Sequence, residues 1–230
     1  YLEKQISSRF DGLIFATPAI KISHSSFTGK NEIINNFPLI NEFSSNLKRR
    51  INSREIVYIG GINTIRGIVP LINSLYKSDF KLNLVGNFLE NDLHKKLIKL
   101  DGWSNVIYHG FCNRKKIDKI MSKSIAGIVT FLPAPNHIQS QPNKLFEYMS
   151  SSLPVIASNF PLWVEIIEKN NCGICVDPKD SNEISLAISK IFDNQSKAIE
   201  FSKNGRLAIT KKYNWGSEEQ KLVKFYKDLF

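Results

Sequence analysis

Short apolar runs rich in Val, Ile, Leu and aromatic residues recur along the chain, each closed by Gly, Asn, Pro or Ser. They are EIVYIGG (55–61), KLNLVGN (81–87), NVIYHGF (105–111), IAGIVTFL (125–132), LPVIAS (153–158) and GICVDP (173–178). Runs of this length and composition predict strands. Between them, apolar residues fall at helical spacing in RGIVPLINSLYKS, ENDLHKKLIKL, RKKIDKIMSK, PNKLFEYMSS and PLWVEIIEK. Strand and helix alternate, as in right-handed βαβ units. The predicted fold is α/β: a doubly wound, Rossmann-like parallel sheet of about six strands with helices on both faces.

The pattern changes at both ends. After the last strand it is all helical, through SNEISLAISKIF, SKAIEFSKNGRLAITKKY and NWGSEEQKLVKFYKDLF. Before the first sheet strand come a single strand, GLIFATP, a short helix and an extended piece, EIINNFP, followed by the polar, basic NEFSSNLKRRINSRE. That composition shift is of the kind found at a domain junction. Residues 1–45 are expected to end a preceding domain, and 46–230 to form the domain that carries the sheet. Tyr1 opens the chain and its methionines are Met121 and Met149, so it reads as part of something longer.

Composition narrows the classes. The 230 residues are 42% hydrophobic and 23% charged, which suits a globular core. No apolar run approaches the roughly 20 residues that span a bilayer, and no leader-like segment opens the chain. A soluble, cytoplasmic protein is expected. The net charge of +10 fits anionic small molecules, a cytoplasmic membrane surface or nucleic acid. Because Lys48-Arg49-Arg50, Arg114-Lys115-Lys116 and Lys211-Lys212 are scattered, with no aromatic-interleaved stripe, nucleic acid is not expected as a partner. Cys172 and Cys175 form a C-x-x-C, but it leads into a strand and has no second ligand pair at zinc spacing, so a structural role and no metal are expected.

In an open parallel sheet, ligands bind beyond the carboxyl ends of the strands. In YIGGINTIRG, Gly60 and Gly61 allow close backbone approach, and Arg66, read at the start of the next helix, could grip a phosphate in two-pronged fashion. An ordinary strand end with a solvated arginine is the competing reading. In FLPAPNHIQSQPNKLFEYM, two prolines and Asn136-His137 hold the chain open before a helix that starts near Pro142, with Ser140 or Gln141 as its cap. That helix mouth favours an anion, and Lys144 in its first turn opposes the dipole unless an anion compensates. Glu147 shares the Lys144 side by i, i+3 spacing, where a carboxylate can accept both hydroxyls of a ribose. A plain surface ion pair is the alternative, with His137 an ordinary loop histidine and Leu145, Phe146 and Met149 the core face of the helix.

PNKLFEYMSSSLPVIASNFPLWVEII followed by CGICVDPKD resembles the nucleotide-sugar-binding half of GT-B glycosyltransferases, of the retaining family called group 1 or family 4. YIGGINTIRGI, LNLVGN, VIYHGF and the closing YNWGSEEQKLVKFY stand in the order that resemblance requires. It implies transfer of a sugar from a nucleoside diphosphate sugar to a saccharide or lipid-linked acceptor, without a metal or other cofactor. It also implies a setting in bacterial surface polysaccharide, lipopolysaccharide or lipid-linked oligosaccharide synthesis, with peripheral association at the inner face of the cell membrane. Residues 1–45 would end the acceptor-side domain, and the isolated chain would bind nucleotide sugar but transfer nothing. The donor would meet Gly60, Gly61, Arg66, His137, Asn143, Lys144, Leu145 and Glu147.

Two departures stand out. Of the family's two glutamates separated by seven residues, the ribose-binding one matches Glu147, while the one that touches the transferred sugar falls at Gln139. Gln139 and Glu147 are therefore the expected catalytic pair, with a neutral amide in one place. The family's basic residue after the strand-end glycine falls at Gly61, and Lys144 is expected to supply the missing charge on the diphosphate. A sugar-nucleotide epimerase of the same layout, or a non-catalytic nucleotide-binding domain, remains as an alternative reading.

Overall fold

The computed structural model describes residues 6–7, 9–45 and 52–229. The basic cluster Lys48-Arg49-Arg50 lies outside the described residues. The sheet strands are β3 (Glu55–Ile59), β4 (Lys81–Val85), β5 (Val106–Gly110), β6 (Ala126–Val129), β7 (Val155–Ser158) and β8 (Gly173–Val176), all parallel, in the order β5-β4-β3-β6-β7-β8. Each strand is shorter than its apolar run. The chain turns away at the closing Gly, Pro or Asn while its side chains stay apolar.

Alternation along the strands sorts the core into two layers, as residues with period two must. Val57, Ile59, Val129, Val155 and Ala157 face a layer with Ile117 of α4 (Arg114–Met121), Phe146 of α6 (Asn143–Ser150) and Trp163 of α7 (Pro161–Lys169). Ile56, Tyr58, Ile128 and Ile156 face the opposite layer, with Leu71 of α2 (Ile68–Asn73), Leu93 of α3 (Leu93–Leu97) and Ile184 of α8 (Ser181–Asp193). Helices therefore cover both faces, as the sequence predicts. The long α9 (Gln195–Lys211) lies against α6, bringing Gly205 into ordinary contact with Met149 and Cys172.

The order of strands reverses between β3 and β6, where connections leave in opposite directions. Only Ile56↔Ala126 and Val57↔Gly127 pair there before the strands part. Tyr148 of α6 fills the gap: its hydroxyl accepts from Ile59 N at 2.9 Å and donates to Ile128 O at 3.5 Å. The ring lies directly over Gly127, where an added Cβ would come within 2.2 Å of it, so this strand position requires glycine.

Ahead of the sheet, β1 (Gly12–Phe15) and β2 (Lys30–Ile33) form a two-stranded parallel sheet joined by α1 (Pro18–Ser23). The last helix, α10 (Trp215–Lys227), returns to cover it. Buried Glu218 of α10 accepts from Asn35 N at 2.7 Å and from Asn35 Nδ2 at 3.2 Å. The intervening segment 38–44 is strapped to the main sheet layer. Pro38 O accepts from Trp215 N, Ile40 O from Arg206 Nη1, and the Asp118 carboxylate from both the backbone and hydroxyl of Ser44.

Two local expectations change. ENDLHKKLIKL contracts to the single turn and a half of α3, because Asp92 enters it in the left-handed region at φ 58°. The loop 131–141 is not simply held open: Pro135–Ile138 form a helical turn, α5.

Candidate functional site

The loops leaving β3 and β6 meet over the sheet at its switch point. After β3, Asn63 caps a 3-10 turn, Thr64–Arg66, by accepting from Arg66 N at 3.0 Å. Gly67 follows at φ 72°, so close to the end of β6 that a Cβ would lie 1.7 Å from Thr130 O. Leu132 N donates to Ile65 O at 2.9 Å and completes the join. Arg66 therefore closes the turn and does not open α2, contrary to the sequence reading. Its Nη1 donates to Gly61 O at 3.3 Å and its guanidinium lies 5.4 Å from the Phe131 ring centre. Gly61 O also accepts from Tyr58 Oη at 2.8 Å. Burial pushes the Tyr58 phenol up to about 12, against the opposing pull of Arg66. It is a neutral donor that holds the Gly60-Gly61 corner in place.

The β6 loop is held by buried polar contacts. Ser158 Oγ donates to Phe131 O at 2.7 Å and Trp163 Nε1 to Ser140 O at 2.7 Å. His137 is buried, stacked at 4.9 Å on Phe131, with Nδ1 3.0 Å from Leu132 O. A carbonyl only accepts, so that bond places the proton on Nδ1 and leaves Nε2 as the acceptor nitrogen. Neither Ser140 nor Gln141 caps α6: Pro142 occupies the cap position and no side chain bonds the first N–H groups. The Ser140 hydroxyl donates instead to His137 O at 2.9 Å, which leaves the expected cap without an acceptor aimed at the helix.

Within α6 the predicted residues separate. Leu145 is fully buried in the core, so its side chain faces no ligand, and its N–H bonds Pro142 O at 3.1 Å. Asn143 is exposed at the first position. Glu147, only 4% exposed, accepts from Lys144 Nζ at 2.5 Å and from Arg114 Nη1 at 2.8 Å, one cation on each oxygen. The charge expected to offset Lys144 is thus supplied by the protein itself. An ammonium has three donors, and Glu147 occupies one.

Arg114 was legible only as part of a basic cluster, though it follows the glycine that ends β5 as Arg66 follows the one that ends β3. Asn113 caps α4, accepting from Lys116 N, and sets Arg114 at the first helical position. Its Nε lies 3.1 Å from Glu42 Oε1 and its guanidinium 5.4 Å from the Phe43 ring centre. Burial pulls its pKa down, but Glu147 and Glu42 outweigh that and hold it above the ordinary value. Glu42, Arg114, Asn143 and Glu147 line a cleft of about 350 Å³ with residues 36–39 and Trp215. Nearby, Phe111 is 79% exposed beyond the end of β5.

Gln139 stands apart from that cleft. Exposed at the end of α5, it lines a mostly apolar groove with Ile138, Pro161 and Leu162 on one side and Pro18, Ala19 and Ile22 of the small unit on the other. The C-x-x-C spans the entry to β8. Cys172 lies behind Ile167, Cys175 pairs with Ala157, and burial pushes both thiols up to about 12. They are protonated at neutral pH, unlike a metal-binding or redox pair. No three His, Cys, Asp or Glu side chains gather into a metal-binding group, and no helix is long and apolar enough to cross a membrane, among the described residues.

A six-stranded doubly wound sheet, two small-unit strands and a terminal helix that recrosses to them define the C-terminal half of a GT-B fold. Residues 40–208 match the family described as Glycosyl transferases group 1, and the chain belongs to that family. An uncharacterized glycosyltransferase of Methanocaldococcus jannaschii is 24% identical over 93% of this chain and 56% of its own length. The MMP alpha-(1->4)-mannosyltransferase of Mycolicibacterium hassiacum is 22% identical over 77% of this chain and 43% of its own. The chain thus spans about half the length of these curated relatives. Sucrose-phosphate synthase from Thermosynechococcus elongatus superposes with a TM-score of 0.82 at 20% identity, covering 100% of this chain and 61% of that one. Anabaena HepE in complex with UDP-glucose gives 0.81 at 18% identity, covering 99% and 66%.

Proposed function

We propose that this chain is the donor-binding half of a glycosyltransferase that moves a hexosyl group from a nucleoside diphosphate sugar to a saccharide or lipid-linked acceptor, with retention. The observation that carries the reading is the convergence, at the switch point, of Arg66, the uncapped mouth of α6 and the Glu147 carboxylate. Solved relatives of this fold hold UDP-glucose or UDP, which supports a diphosphate donor here.

On this reading, the bond from the sugar carbon to the diphosphate breaks as one forms to the acceptor oxygen, whose proton is lost. Negative charge grows on the leaving diphosphate. Arg66, the two spare donors of Lys144 and the free N–H groups of α6 meet that charge, and Gly60-Gly61 lets the backbone come close. His137 offers Nε2 to a sugar hydroxyl, Asn143 lines the approach, Leu145 contributes backbone alone, and Glu147 takes the ribose hydroxyls. The positive charge is supplied by side chains, so no metal is required. Gln139 sits by the groove that faces the small unit, where donor sugar and acceptor would meet. As a neutral amide it can bond hydroxyls but lends no charge to an oxocarbenium-like transition state, an observation that also favours a second reading, a nucleotide-binding half with weakened transfer. We further propose that residues 1–45 end the acceptor-side domain, and that the enzyme works in glycan synthesis on the cytoplasmic face of a membrane, whose anionic lipids suit a net charge of +10.

Titration calorimetry of this chain against UDP, GDP and a short oligonucleotide tests the proposal. Binding of a nucleoside diphosphate, no salt-steep oligonucleotide signal, and sugar transfer only by the complete protein are expected. Salt-steep oligonucleotide binding without a nucleotide signal would overturn it, and robust turnover by these 230 residues would overturn the division of labour.

A further inference from the structure

We infer that Arg114 is a positioning residue for the donor: its bond to Glu147 orients that carboxylate for the ribose, and its bond to Glu42 ties that orientation to the segment joining the two units. The inference rests on the donor reading and adds a residue to it. Arg114 is on a different helix from Glu147, 33 positions away in sequence, so this contact is a product of the fold alone. The guanidinium divides its donors. Nη1 meets Glu147 Oε1 at 2.8 Å and Nε meets Glu42 Oε1 at 3.1 Å, an arrangement that a planar fork allows and an ammonium does not. Lys144 fixes the other carboxylate oxygen at 2.5 Å.

With one cation on each oxygen, the Glu147 side chain is held in a single orientation, and each oxygen keeps acceptor capacity for one ribose hydroxyl. Glu42 belongs to the strap 38–44, which is also fastened by Trp215, Arg206 and Asp118. The cleft beside Glu147 is walled by that strap on one side and by Arg114 and Asn143 on the other. Movement of the joining segment would therefore be felt first at the Arg114 guanidinium and through it at Glu147.

The test uses a readout that general destabilisation does not move: the ratio of affinities for a nucleoside diphosphate and its 2′-deoxy counterpart, measured by calorimetry on this chain with UDP and dUDP, or GDP and dGDP. Wild type is expected to favour the ribose form by about tenfold or more, the loss incurred when a charged acceptor goes unpaired. Arg114→Ala should collapse the ratio to about twofold or less while leaving deoxy affinity nearly unchanged. Arg114→Lys should restore it in part, and Glu42→Gln should lower it to an intermediate value. Lys115→Ala, which removes the same charge from the same exposed turn, should leave the ratio intact.

If wild type binds no nucleoside diphosphate, the donor reading fails and the inference with it. If wild type binds but shows no ribose preference, or Arg114→Ala keeps the preference, the donor reading stands and the role of Arg114 is refuted. An unchanged ratio in Glu42→Gln refutes the tie to the joining segment.

Discussion

At the scale of single residues, Arg66 shows how a common side chain becomes a specific one. Solvated arginines at helix entrances are ordinary, but this one is half-buried between two loops, stacked near Phe131 and bonded to Gly61 O. That leaves most of its donors free along a fixed edge. On the donor reading Arg66 serves the diphosphate, so Arg66→Ala is expected to weaken UDP about tenfold and UMP far less, as read by calorimetry. Equal losses on the two would remove Arg66 from the second phosphate. Leu145 shows the opposite case. Its position suggests a ligand contact, yet its side chain is wholly within the core, as the helical spacing of Leu145, Phe146 and Met149 already implied.

At the scale of elements, α6 performs two tasks with its two faces. One face presents Asn143, Lys144 and Glu147 to the cleft, while the other places Tyr148 between β3 and β6. Because the strands part beyond Val57↔Gly127, Ile59 N has no strand partner on that side, and the Tyr148 hydroxyl satisfies it in a fully buried setting. Tyr148→Phe would leave that donor unpaired, at about 1–3 kcal/mol. For a chain of this size the expected fall in Tm is roughly 2–4 °C per kcal/mol, measured by thermal denaturation. A variant that melts with wild type would show that the hydroxyl contributes nothing at the switch point.

At the scale of the whole molecule, the sheet edge makes stability depend on pH. His109 of β5 lies 2.8 Å from Asn83 Oδ1, and burial, then Lys116, lower its pKa below the ordinary 6.5, with Glu55 opposing. The unfolded chain therefore takes up the proton first as pH falls. Stability is full above about 6.5 and declines as the pH drops below it, toward the lowered folded value. Between pH 6.5 and 5 this loss precedes carboxylate protonation. Denaturation midpoints of wild type should fall across that window, and those of His109→Gln should fall less. Parallel curves would contradict the assignment.

The sequence by itself determined the class of fold, the order of its elements and the loops where chemistry belongs, because hydrophobic period and Gly or Pro punctuation are local properties. Gly60-Gly61, Arg66, His137, Asn143, Lys144 and Glu147 were legible because they sit in those loops or at the helix mouth that follows. Only the tertiary structure decided who touches whom. That Glu147 is shared by Lys144 and Arg114, that Gln139 faces the small unit and that Tyr148 bridges the parting strands are contacts between segments far apart in sequence, set by strand order. Hydrophobic spacing carries no record of that order, and neither does the helix-cap pattern that suggested Ser140 or Gln141: the competing acceptor, His137 O, comes within reach only once Pro135–Ile138 coil into a turn.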